Sequence, residues 1–227
     1  MCAKKKKMLY DIDKWLKPYK AVIDKRHKMI LEAKEKFSTD GSLSKGMNNH
    51  IYYGMHKNAQ GDWVFREWAP NANKIYLIGD FNNWKRSEAY ALRPLGGGNW
   101  EITLPAMFLD HGTLYKLFIE WPGGGAERLP AYVTRTVQDP HTKQFCAQIW
   151  DPVKPYEWKN DKPGKREHPL IYECHIGMAA EEEKVGTFEE FRQNVLPKVA
   201  DLGYDTIQIM ALQEHPYYGS FGYQVSN

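Results

Sequence analysis

The apolar residues of this 227-residue chain change their period twice, and that constrains the fold more than any other feature. A chain that reads as helical, then as stranded, then as strand–helix–strand must bury three kinds of face, so it folds in parts. Over residues 10–36, Ile12, Trp15, Leu16, Tyr19, Val22, Ile23, Met29, Ile30 and Ala33 recur three and four apart, a helical period. Pro18 interrupts it. The pattern predicts a short helix ending near Leu16 or Lys17 and a longer one with the proline in its first turn. Residues 38–42 (Ser-Thr-Asp-Gly-Ser) end the helical stretch.

From residue 49 to 153 the chain becomes short strands between turn signals. Residues 100–104 alternate apolar and polar; residues 115–120 do so less cleanly. Gly96 to Asn99, Asp110 to Gly112 and Pro122 to Gly125 read as turns. Strands at this spacing predict an all-β sandwich of immunoglobulin-like type. Six of the eight tryptophans lie between residues 63 and 150, as in an aromatic core or a carbohydrate-facing surface.

Residues 151–169, rich in proline, lysine and acidic residues, read as a surface linker. After them, residues 170–177 and 206–212 read as buried strands. Between them, Thr187 to Glu190 form a capping box. Phe188, Phe191, Val195, Val199 and Leu202 give a helix an apolar stripe, and Gly203 sits at its C-terminal cap position. Strand, helix, strand predicts a parallel pair with a right-handed crossover. Parallel sheets occur covered on both faces, so a larger α/β domain is expected to follow.

Composition excludes several classes. The net charge is +3, and the one basic cluster is Lys4 to Lys7, which reads as a solvated terminus. No nucleic-acid partner is expected. Cys2, Cys146 and Cys174 fit no zinc or redox spacing, and no metal or other cofactor is expected. Sparse cysteines without an N-terminal apolar signal region point to a reducing cytoplasm. No apolar run approaches the roughly 20 residues of a membrane helix, so no membrane partner is expected.

Residues 65–84, FREWAPNANKIYLIGDFNNW, are the most informative about function. Trp84 follows Asn82 and Asn83 in a tight polar segment. It is poorly placed for a core and well placed to offer a flat apolar face beside amide groups. Sugars need that pairing, because one pyranose face carries C–H groups while its edges carry hydroxyls. The competing structural reading is an indole packed under its own turn. Lys116 lies on a strand whose alternate residues Tyr115, Leu117 and Ile119 face the other way, as a solvent-facing lysine or a donor to sugar hydroxyls. Trp121 stands at that strand's end, and simple alternation puts it opposite Lys116. Residues 213–224, with three tyrosines, a histidine and a glutamate, leave the end of a parallel strand, where a (β/α)₈ barrel builds its active site. Glu173 and His175 are expected as a buried hydrogen-bonded pair. Retaining glycoside chemistry needs two carboxylates about 5–5.5 Å apart. Asp201 and Asp205 flank a helix end, and Glu181 to Glu183 form a charged run; neither set makes such a pair.

The segments IDKWLKPY, FREWAPNANKIYLIGDFNNW, RLPAYVTRTVQDP, IYECHIGMAAEEEKVGTFEEFRQNVLPKVADLGYDTIQIMAL and QEHPYYGSFGYQVSN resemble, in order, the N-terminal portion of 1,4-α-glucan (glycogen) branching enzymes of the α-amylase superfamily. The resemblance implies a helical leader (1–48), a β-sandwich glycogen-binding module (49–153), and a linker with the start of an incomplete (β/α)₈ barrel (154–227). It implies α-1,4-glucan as partner and cleavage and transfer to a 6-hydroxyl with retention. The family's catalytic carboxylates lie on later barrel strands, so the chain alone is expected to be inactive. Tyr223 matches the family tyrosine that stacks on glucose at the cleavage subsite. Trp84, Lys116 and Trp121 match sugar contacts of glycogen-binding modules, with Asn83 beside them, although the WPGGG context of Trp121 departs from the usual turn. An incomplete barrel also implies self-association. Two other readings stand beside this one. A non-enzymatic glycogen-targeting module would not need the strand–helix–strand tail, and a debranching relative would not favour the EHPYYGSFGY loop.

Overall fold

The computed structural model describes residues 7–225. Cys2, Lys4 to Lys6 and Asn227 lie outside them. The chain forms two compact units, Met1–Tyr52 and Tyr53–Asn227.

The first unit is helical: α1 (Leu9–Ile12), a 3-10 turn (Lys14–Tyr19), α2 (Lys20–Phe37), α3 (Leu43–Gly46) and α4 (Asn49–Tyr52). Pro18 sits inside the 3-10 turn and not in the first turn of the long helix, because its fixed φ suits the tighter turn and α2 starts two residues later. The periodic apolar residues are not a buried stripe: Ile12, Trp15, Tyr19, Met29 and Ile30 are all exposed.

The second unit opens with two antiparallel sheets. Its strands are β1 (Gly54–Lys57), β2 (Trp63–Trp68), β3 (Lys74–Gly79), β4 (Arg93–Gly96), β5 (Asn99–Leu104), β6 (Leu114–Trp121), β7 (Gly124–Arg128), β8 (Thr136–Gln138) and β9 (Phe145–Gln148). One sheet runs β1-β2-β5-β4; the other runs β3-β6-β9-β8, with β7 also on β6. Alternate residues turn inward, so Trp63, Phe65, Ile102 and Leu104 of the first sheet meet Ile75, Leu77, Tyr115 and Leu117 of the second in one core. Phe65, Ile75, Leu77 and Leu117 have no exposed surface. Buried Glu67 accepts hydrogen bonds from the Trp68 and Ala131 amides, tying the 129–133 segment to β2. Its burial raises its pKa above the usual carboxylate range. The expected turn over Pro122–Gly125 is shorter: Gly124 and Gly125 belong to β7 and pair with Trp121 and Glu120. A Cβ on Gly125 would lie 2.9 Å from the Phe118 ring, so the missing side chain makes room for that ring.

Residues 151–170 run exposed without helix or strand, apart from a half-buried Pro152. They lead to β10 (Ile171–His175), which pairs in parallel with β11 (Thr206–Met210). Helix α5 (188–201) connects the two. Thr187 caps it as predicted: its Oγ1 accepts from the Glu190 amide at 3.2 Å, and its own amide donates to Glu190 Oε2 at 2.9 Å. A π turn (Phe191–Val195) interrupts the helix just before Pro197. Proline cannot donate to the carbonyl four residues back, so the ladder slips by one and Leu196 donates to Phe191 instead. Gly203 closes the helix with φ +89°. Tyr172, Cys174, Ile176 and Ile209 pack on Phe191, Val195 and Leu196 of that helix. Phe188 and Leu202, both expected in the stripe, are exposed.

Glu173 and His175 do not form the expected hydrogen-bonded pair. They share the sheet face opposite α5. Glu173 is exposed, while both ring nitrogens of His175 are buried without a hydrogen-bond partner among the described residues. The ring meets Tyr218 and Phe221 edge-on at 6.0 and 6.3 Å. Residues two apart on one strand stand about 6.5–7 Å apart along the chain, and here aromatic rings from the loop after β11 fill the space near His175.

Candidate functional site

The segment after β3 is a one-turn 3-10 helix (Asp80–Asn82) followed by two left-handed residues, Asn83 (φ 53°) and Trp84 (φ 59°). Left-handed backbone at a tryptophan is uncommon and needs support. Asn82 supplies part of it: its Oδ1 accepts from the Gly79 amide and its Nδ2 donates to the Leu77 carbonyl, both at 3.0 Å. The Trp84 amide donates to the Gly79 carbonyl at 2.9 Å. Asp80 does the rest. Its Oδ1 accepts the indole N–H of Trp84 at 3.1 Å, and its Oδ2 accepts the Leu114 amide at 2.8 Å. The indole is thus anchored by one edge to the start of β6, and the ring is half-buried.

Lys116 lies on the same sheet face. Its ammonium is 5.9 Å from the Trp84 ring centroid, close enough for a cation–π contact. It also donates to Glu127 Oε2 at 3.0 Å and to Gln144 Oε1 at 3.3 Å. Lys116 is therefore neither a free solvent-facing lysine nor a bare donor; it is buried and already engaged on two sides.

Trp84 walls a cleft of about 450 Å³, within the ~300–1,000 Å³ usual for small-ligand sites. The opposite wall is the β8–β9 hairpin, with Asp139, Thr142, Gln144 and Cys146. Asp139 accepts the His141 and Thr142 amides at 2.9 and 2.7 Å, which hold its carboxyl below the usual range. Burial pushes the Cys146 thiol up, so it is a poor nucleophile. The cleft can stack a ring on an indole and offer hydroxyl, amide and carboxylate partners to its edges.

The other expected site residues fall elsewhere. Asn83 is exposed at the tip of the turn. Trp121 continues the inward row of β6, opposite Lys116 as alternation requires, and stacks with Arg128 at 5.5 Å. Trp84 and Lys116 are thus brought together and Trp121 is not. Tyr223 is well exposed, two residues beyond the left-handed Phe221. Gly222, with φ +82°, passes Ala211 so closely that a Cβ there would lie 2.2 Å from the Ala211 Cβ. That approach holds the loop against the end of β11. No described contact joins Tyr223 to the Trp84 cleft.

Sequence reasoning missed Asp80, Glu127, Asp139, Thr142 and Gln144. Asp80 had a signal, since it opens the same turn as Trp84. Glu127 follows from register once the hairpin is closed at Pro122–Gly123. The β8–β9 residues carried none, because their approach to Trp84 is decided by β9 pairing with β6.

The two-sheet sandwich is the part of the chain that a family of carbohydrate-binding modules matches. Residues 52–141 match carbohydrate-binding module 48, the isoamylase N-terminal domain. Across almost its whole length the chain is similar to 1,4-α-glucan-branching enzymes. The Dictyostelium discoideum enzyme is 38% identical over 229 residues, covering 97% of this chain and 33% of that protein. The Rhizophagus irregularis enzyme is 40% identical over 223 residues, covering 95% and 32%. The chain spans about a third of the length of these curated relatives, and its similarity to them runs through the module of family 48 and beyond it. The catalytic module of the glycogen-degrading pneumococcal virulence factor SpuA superposes with TM-score 0.54 at 24% identity, over 80% of this chain and 28% of that one, a likeness of fold alone.

Proposed function

We propose that this chain binds linear α-1,4-glucan in the cleft beside Trp84, as the glucan-holding N-terminal part of a 1,4-α-glucan-branching enzyme. The observation that carries the reading is the Trp84 indole, pinned by Asp80, above Lys116 and facing a cleft with amide and hydroxyl groups on its far wall. Kinship with branching enzymes supports α-glucan as the ligand. Residues 49–153 form the binding module after the leader 1–48. From 154 onward the chain is linker and then the first strand–helix–strand unit of a (β/α)₈ barrel, whose later strands carry the catalytic carboxylates. Tyr223, on the loop at the C-terminal end of β11, stacks on glucose once the barrel is complete. Trp121 and Asn83 give secondary contacts. The protein works in the cytoplasm, where its substrate is a storage glucan.

Affinity electrophoresis through glycogen gels tests the binding claim. Trp84→Ala removes the stacking face and should weaken retardation by about 0.5–1.5 kcal/mol, the usual worth of an aromatic stack beyond its buried area. Maltoheptaose should also slow alkylation of Cys146, which lies in the cleft wall. Unchanged retardation of the variant, with unprotected Cys146, would move the site away from Trp84.

A further inference from the structure

We infer that the Trp84 cleft selects uncharged glucan and discriminates against glucan carrying phosphate esters; this rests on the glucan reading above and adds the charge state of the ligand. The charged side chains in the cleft wall are Asp80 and Asp139, both acidic. Neither is neutralised by a cation in that wall. Asp80 spends its two oxygens on the Trp84 indole N–H and the Leu114 amide, which carry no net charge. Asp139 spends one oxygen on the His141 and Thr142 amides. Besides those amides, Lys143, on the same turn, helps to hold the Asp139 carboxyl low, but it lies outside the wall and makes no ion pair with Asp139 among the described residues.

Lys116 does not reverse this balance. The cation nearest the Trp84 ring already forms an ion pair with Glu127, and Gln144 takes a second N–H. Its pairing leaves one donor hydrogen for a sugar hydroxyl while cancelling its charge toward an incoming anion. A neutral glucose ring meets an indole face, a hydroxyl, amides and two acceptor carboxylates. The same ring bearing a phosphate monoester, about −1.5 to −2 charges at neutral pH, meets like charge in the wall itself.

Calorimetry with the full chain, comparing maltoheptaose with maltoheptaose carrying one 6-phosphate ester, tests this. At about 0.01 M salt, where screening is weak, the phosphorylated sugar should bind roughly three- to thirtyfold more weakly. The gap should shrink severalfold at about 1 M salt. Glu127→Gln removes the counter-charge of Lys116 and should narrow the low-salt gap between the two sugars, both measured on that variant. Equal or tighter binding of the phosphorylated sugar overturns the inference. So does a gap that neither salt nor Glu127→Gln alters, because that gap comes from bulk. If neither sugar binds, the glucan reading fails and this inference falls with it.

Discussion

The β sandwich and the strand–helix–strand tail use the same apolar residue types and cover them very differently. In the sandwich, two sheets close on each other, and Phe65, Ile75, Leu77 and Leu117 lose all contact with solvent. In the tail, one helix covers one face of a two-stranded sheet. Only its centre is buried, with Phe191 4% and Val199 5% exposed, while Leu170, Phe188, Leu202 and Leu212 remain more than half exposed. The other sheet face carries Glu173 and His175, whose ring nitrogens have no hydrogen-bond partner among the described residues. A sheet becomes stable when each apolar face has a partner layer, whatever its sequence. The sandwich meets that condition within these residues and the tail does not.

The comparison can be broken most sharply by one pair of substitutions. Phe65→Ala should destabilise the sandwich by about 3–5 kcal/mol, because it opens a cavity where no atom can relax into it. Phe191→Ala should leave the sandwich transition unchanged and melt only the tail. Chemical denaturation followed by the fluorescence of the sandwich tryptophans reads the sandwich transition in both variants, and hydrogen exchange over residues 188–201 reads the tail. A tail substitution that shifts the sandwich midpoint as far as Phe65→Ala would show that the two regions unfold as one.

Hydrogen exchange sharpens the same contrast. The amides of β10 and β11 should exchange well before those of β3 and β6 in dilute protein. Their protection should rise with concentration if the open edges of the two strands find another chain. Equal protection in a monomer would mean that the tail is stable alone, and the proposal of an incomplete barrel would lose its physical basis.

The smallest expected effect is local to α5. Thr187→Ala removes its cap and should cost the tail about 1 kcal/mol, seen as faster exchange over residues 188–195 with the sandwich unaffected. The capping partner Glu190 is held down to about 2 by Lys184 and by the Thr187 amide and hydroxyl. A depressed carboxyl stabilises the folded state above its unfolded pKa and loses that contribution as pH falls through the folded value. Helix α5 should therefore loosen between about pH 4.5 and 2, measured as exchange or helical circular dichroism, and Thr187→Ala should narrow that dependence. A flat pH response would remove Glu190 from the cap in solution.

Local chemistry made much of this protein legible in its sequence. The two changes of period, the capping box at Thr187 and the cap at Gly203 all depend on residues within a few positions of one another. That Trp84 lies outside the core was legible for the same reason: two asparagines and a tight turn precede it. The alternation on β6 correctly set Trp121 against Lys116. What the sequence left open were pairings between distant segments. The pairing of β9 with β6 brings Gln144 to Lys116 and Asp139 to the far side of Trp84's cleft. The placing of Asp80 beside Leu114 pins the indole, and the register of β6 and β7 pairs Glu127 with Phe118, diagonal to Lys116 on the same face. The Glu173–His175 pair was misread because alternation gave the shared face but not what fills it. Periodicity is a property of one segment, so sequence fixes which residues turn inward. Which residues they meet depends on strand register and sheet order, and these are settled only when the layers close.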